Sequence, residues 1–130
     1  MYSKSDLDSL VVWADERGYV VSFESRGSND ICFESKSIEI NKSLPLEDQV
    51  FILSHECGHI LAKKKKFLPT ESDDLLQSNI FRLREEYEAW DSAATILKNL
   101  EISFDKDRFQ IFMSKSIKKY INAIYRNKKI

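Results

Sequence analysis

The residues with the most evident chemistry are His55 and His59, the only two histidines in 130 residues, standing four apart with Glu56 between them. At about 100° per residue, two helical side chains at that spacing lie about 40° apart, so both imidazoles can grip one metal ion. Neutral imidazole suits Zn2+, which binds His nitrogen at about 2.0 to 2.1 Å and in a catalytic site takes three protein ligands plus a water. The chemistry of such a site is hydrolysis. The ion polarises a carbonyl and acidifies the water, while Glu56, as general base, takes the water's proton and returns it to the leaving amine. Phe51, Ile52, Leu53, Ile60 and Leu61 make the surrounding helix apolar on nearly every side, which marks it as buried. Burying two imidazoles and a carboxylate without partners is costly, and a metal is the simplest partner.

With both histidines used, the third ligand is expected to be Asp, Glu or Cys. Cys57 lies about 200° round the helix from His55 and points away, as a small core hydrophobe. Carboxylates concentrate in REEYEAWD, Arg84 to Asp91, roughly thirty residues downstream. There the apolar stripe Leu76, Ile80, Leu83, Tyr87, Trp90, Ala94 and Leu97 predicts a core-facing helix. Glu86 falls on the stripe's edge, about 60° from its centre, whereas Glu85 and Glu88 lie well over 100° away on the solvent side. Glu86 is therefore the expected third ligand. Asp91 is a candidate acceptor for a ring N–H of His55 or His59. Tyr120 and Tyr125 are the candidate donors to a developing oxyanion, although aromatic packing is the expected role of both.

These residues need elements to hold them. Ser5 is expected to cap a first helix over Asp6 to Arg17, with Leu7, Leu10, Val11 and Ala14 as its stripe and Gly18 as its stop. Three β-prone runs follow, Tyr19 to Phe23, Ile31 to Glu34 and Ser37 to Asn41, separated by the turn-forming segment 26–30 and the link Ser35-Lys36. They read as a small antiparallel meander. Leu44-Pro45 opens the metal helix, which runs to about Lys65. A loop at Phe67 to Asp74 leads into a helix from about Asp74 to Leu100. The spacing of Phe109, Phe112, Met113, Ile117, Tyr120, Ile121 and Ile124 predicts a last helix ending near Asn127. The expectation is a single α+β domain over residues 1–130, with a small antiparallel three-stranded sheet packed against four helices.

A strand ending IEINKSL, a helix reaching HECGH and a helix carrying E-x-E-A together resemble the ImmA/IrrE family of zinc metallopeptidases, over Ile38 to Leu97. In that family the third ligand is the glutamate three residues before the alanine, which maps onto Glu86, three before Ala89. The resemblance implies a cytosolic, gluzincin-type endopeptidase whose cofactor is Zn2+. It also implies a protein substrate of the kind characterised members cleave, DNA-binding repressors often encoded beside them in phages and mobile elements. Two departures stand out. Where the family usually has Asn or Asp directly after the alanine, this chain has Trp90, with Asp91 one place later. The helix-turn-helix domain that many members carry has no counterpart in these 130 residues.

Twenty basic and twenty-one acidic side chains give a net charge of -1, which argues against a dedicated nucleic-acid binder. No apolar run reaches the roughly 18 residues of a membrane span, and the N-terminus does not read as a secretory signal, so the expected location is the cytoplasm. Two cysteines make no disulfide framework. Lys63 to Lys66 read as a solvated helix end. Lys115 to Lys129 holds six basic side chains and no acidic one, whereas Glu71 to Asp91 holds seven acidic ones. The last helix is thus a candidate docking face for an acidic peptide or DNA. A second function class also fits the motif, an interaction or inhibitor protein in which zinc fixes the scaffold and no peptide is cut.

Overall fold

The computed structural model describes residues 3–64 and 75–127. Their elements run in the order α1 (Lys4–Asp15), β1 (Val20–Glu24), β2 (Asp30–Cys32), β3 (Ser37–Asn41), α2 (Leu46–Lys64), α3 (Leu75–Asn99) and α4 (Lys106–Asn127). The architecture is α+β. The loop expected at Phe67 to Asp74, and Lys65 and Lys66 of the lysine run, lie outside the described residues. Among those described, no helix is long and apolar enough to cross a membrane.

The first helix starts two residues earlier than expected, because Ser3 rather than Ser5 is its N-cap and Asp6 reaches back to it. The Ser3 N–H donates to the Asp6 carboxylate at 2.9 Å, satisfying a backbone group that the helix cannot. Gly18, at φ +86°, ends the turn in the left-handed region, and the Tyr19 N–H donates back to the Ala14 carbonyl. Trp13 joins Leu7, Leu10 and Ala14 on the buried face. Its ring is covered by the Arg17 guanidinium at 3.7 Å.

The sheet is not the meander that the strand pattern suggests. Its order is β1-β3-β2, with β3 parallel to β1 and antiparallel to β2. The reason is burial. Ile38 and Ile40 are both fully buried, so the strand carrying them takes the centre, pairing Val21 and Ile31 with Ile38, and Phe23 with Ile40. Leaving room for β3 makes the β1–β2 loop cross the end of that strand. Gly27 sits at the crossing, where a Cβ would lie 2.6 Å from the Ile40 carbonyl oxygen. Asn29, itself at φ +55°, accepts the Asn41 N–H through its side-chain oxygen at 2.7 Å and pins the loop down.

Helix α2 is the centre of the core and touches α1, β2, β3 and α3. Its first turn carries Glu47 and Asp48, which favour the positive end of the helix dipole. Val50, Phe51, Leu53, Cys57 and Ile60 are all buried, so Cys57 is the core hydrophobe expected of it. Burial pushes its thiol up to about 12. Helix α4 is preceded by Asp105, whose carboxylate accepts the N–H groups of Asp107 and Arg108. Phe109 and Phe112 then pack edge-on against Phe51, and Arg108 pairs with Glu47 at 2.7 Å. These contacts fix α4 against α2, so its later turns pass over the histidines.

Candidate metal centre

Two turns of α2 and one of α3 build the site. His55, Glu56 and His59 each offer an atom within 4.8 Å of the others, a group that can hold a metal ion. The two imidazole rings stand 4.6 Å apart. Across from them, Glu86 faces both: His55 Nε2 lies 2.7 Å from its Oε2, and His59 Nε2 lies 3.1 Å from its Oε1. Glu56 takes the other side of His55, with Oε1 at 3.3 Å from Nδ1. Two nitrogens converging on one carboxylate make a donor set of the kind divalent zinc accepts.

Glu86 is 6% exposed, and its surroundings differ from the stripe drawn from sequence. Ile80 and Tyr87 are 44% and 52% exposed, whereas Ala89, Ala93 and Ile96 are buried. The inward face of α3 is rotated, and Glu86 sits near its middle rather than on its edge. Close approach explains the shift, since α3 meets Gly58 of α2 over Ala89 and Ala93, which turns Ile80 and Tyr87 to the flank. Glu85 and Glu88 remain partly exposed and outside the site.

Electrostatics follow from this crowding. Burial disfavours charge on His55, but the carboxylates of Glu56 and Glu86 outweigh it and raise the imidazole to about 9. Burial likewise opposes charge on Glu86, yet the two histidines hold its carboxyl well below the usual range.

Asp91 does not reach the histidines. It is exposed on the outer side of α3, one residue too far round. Its neighbour Trp90 is 1% exposed and stacks on the His55 ring at 4.2 Å with only 14° between planes. The ring face thus orients His55 where a hydrogen bond was expected. Among the described residues the Trp90 Nε1 has no hydrogen-bond partner.

Tyr120, expected to pack, instead enters the site. Its hydroxyl donates to Glu86 Oε1 at 3.1 Å. Burial, and then the charge of Glu86, push the phenol up to about 12, so it stays protonated. Tyr125 is exposed. Helical spacing had placed Tyr120 on α4 but could not show which wall α4 would form. The site opens into a cleft of about 590 Å³ between the 28–31 segment and α4, with Ile52, Trp90 and Phe112 among its apolar lining.

Comparison with curated proteins finds no match, and comparison with solved structures finds none. The family model described as the IrrE N-terminal-like domain, a peptidase family, matches residues 14–109. That span holds the whole sheet, α2 with its two histidines, and Glu86 on α3. Lys115 and Tyr120 lie beyond it. Nearly three quarters of the sequence is matched, and the chain belongs to the IrrE N-terminal-like (ImmA/IrrE) family, a metallopeptidase-type scaffold.

Proposed function

We propose that this protein is a zinc-dependent endopeptidase that hydrolyses a bond in a specific cytosolic protein, with His55, His59 and Glu86 as ligands and Glu56 as general base. The observation that carries the reading is the approach of both Nε2 atoms to the two oxygens of Glu86, at 2.7 and 3.1 Å. Glu86 is preferred to Glu56 as third ligand because it spans both of those nitrogens, whereas Glu56 faces only the far nitrogen of His55. Zinc, when bound, supplies Lewis acidity toward a carbonyl and a water. Glu56 lines the same cleft and takes the water's proton, then hands it to the leaving amine. Tyr120 donates its phenolic hydrogen to the oxygen on which negative charge develops. The stacked ring of Trp90 keeps His55 from turning. Family likeness makes a DNA-binding repressor, encoded nearby in a phage or mobile element, the preferred class of substrate.

Elemental mass spectrometry on the parent and on Glu86→Ala checks the ligand set. About one zinc per chain is expected in the parent, with a sharp loss in the variant. Glu56→Gln should keep its zinc and lose about 10²- to 10⁴-fold in cleavage of a synthetic peptide library read by mass spectrometry. Cleavage by Glu56→Gln at the parental rate overturns the assignment. A zinc-loaded parent that cuts neither the library nor neighbouring regulators moves the function to a non-catalytic interaction protein.

A further inference from the structure

The cleft has walls of opposite charge. Lys115 and Lys119 are exposed on α4 and line it on one side, four residues apart and so on one helical face. Asp30 lines the other side, in a segment anchored by Ser28, whose N–H donates to Glu39 at 2.9 Å and whose hydroxyl also bonds to Asp30 and Glu39. The floor between them carries Glu56 and Glu86. Among the described residues no carboxylate is paired with either lysine.

Spacing says what would fit the cationic wall. Four residues of helix rise about 6 Å, and alternate side chains of an extended chain, which point the same way, are about 6.6 Å apart. An extended peptide with acidic residues at alternate positions can therefore meet both ammonium groups at once. The same residues would be repelled by Asp30 across the cleft and by the carboxylates of its floor, which fixes the side to which they turn. We propose that Lys115 and Lys119 make the cleft selective for extended peptide segments carrying acidic side chains at alternate positions beside the bond to be cut. The proposal rests on the peptidase reading and names its substrate class. Duplex DNA fits less well, because the phosphates reaching α4 would also face the carboxylates of the opposite wall and floor.

Binding tests this without requiring turnover. The probe is a fluorescein-labelled synthetic peptide with glutamate at alternate positions, measured by anisotropy against zinc-loaded Glu56→Gln protein, beside its glutamine counterpart. The glutamate peptide should bind about tenfold more tightly, and Lys115→Glu/Lys119→Glu should abolish or invert that preference. Both lysines are exposed, so the variant should keep the parental melting curve; Lys115→Gln/Lys119→Gln, expected to give an intermediate preference, serves if it does not. Equal binding of the two peptides, or a preference that survives charge reversal, overturns the proposal. Displacement of the glutamate peptide by duplex DNA overturns it too, in favour of a nucleic-acid surface. Selective binding by a zinc-loaded parent that hydrolyses neither this peptide, nor the library, nor neighbouring regulators would leave the wall as assigned and sink the peptidase reading instead.

Discussion

Tyr120 shares Glu86 Oε1 with His59, each at 3.1 Å, and so stands where it could serve either of two purposes. It could brace a ligand, or it could donate to the reacting carbonyl. Tyr120→Phe separates them, because the substitution removes one hydrogen bond and little volume. A donor to the developing oxyanion lowers kcat by about 10²- to 10³-fold with KM little changed. A brace lowers zinc content and leaves the turnover of loaded protein alone. The first outcome is expected, since Tyr120 lines the cleft as well as touching Glu86. Trp90 presents a different balance at the same scale. An unpartnered buried N–H costs about 1–3 kcal/mol. The stack on His55 and the edge contacts with Phe109 and Phe112 offset it through packing that a smaller ring would not supply.

What lets Glu86 reach the histidines is the seam between α2 and α3. A Cβ on Gly58 would sit 2.0 Å from the Ala89 carbonyl oxygen and 3.1 Å from the Ala93 nitrogen. Gly58 lies one residue before His59, and Ala89 three after Glu86, so the closest approach of the helices falls beside the ligands. In an isolated helix Gly58→Ala would be favourable by about 1 kcal/mol. Here the extra methyl forces the backbones apart, and a net loss of about 1–3 kcal/mol is expected, together with weaker zinc retention as Glu86 is drawn back. Urea unfolding and metal analysis of the variant check both effects. A more stable Gly58→Ala that holds its zinc would show that the seam does not set the ligand distance. Much of this site is legible in the sequence, because His55, Glu56 and His59 share one helix whose geometry is fixed, and Glu86 falls on the edge of an apolar stripe that leaves Glu85 and Glu88 to solvent. The rotated face of α3 and the central place of β3 are not, because both depend on partners. A helical wheel weighs large residues most, whereas this seam is made by a glycine and two alanines. A run of three short strands likewise says nothing of which one will be enclosed.

At the scale of the molecule, the proposed ligands tie α2 to α3 across a stretch of chain that the unfolded state would leave open. Such a site is not preformed without the fold, so the free energy of metal binding adds to that of folding. The core does not depend on it. Leu10, Ile38, Ile40, Leu53, Ile96 and Leu97 are buried together in an apolar cluster that includes none of the proposed ligands. Chelation should therefore lower stability rather than abolish structure. For zinc present at about a thousand times its Kd the contribution is about 4 kcal/mol, or roughly 10 to 20 °C in Tm for a domain of this size. Scanning calorimetry with and without a chelator would read it as a single cooperative transition moved downward. Glu86→Ala should start near the chelated parent and respond little to further chelation, because one of its three attachments is already gone. A parent whose Tm ignores the chelator, in a preparation shown to contain zinc, would mean that the metal does not bridge the two helices, and Glu86 would lose its place as a ligand.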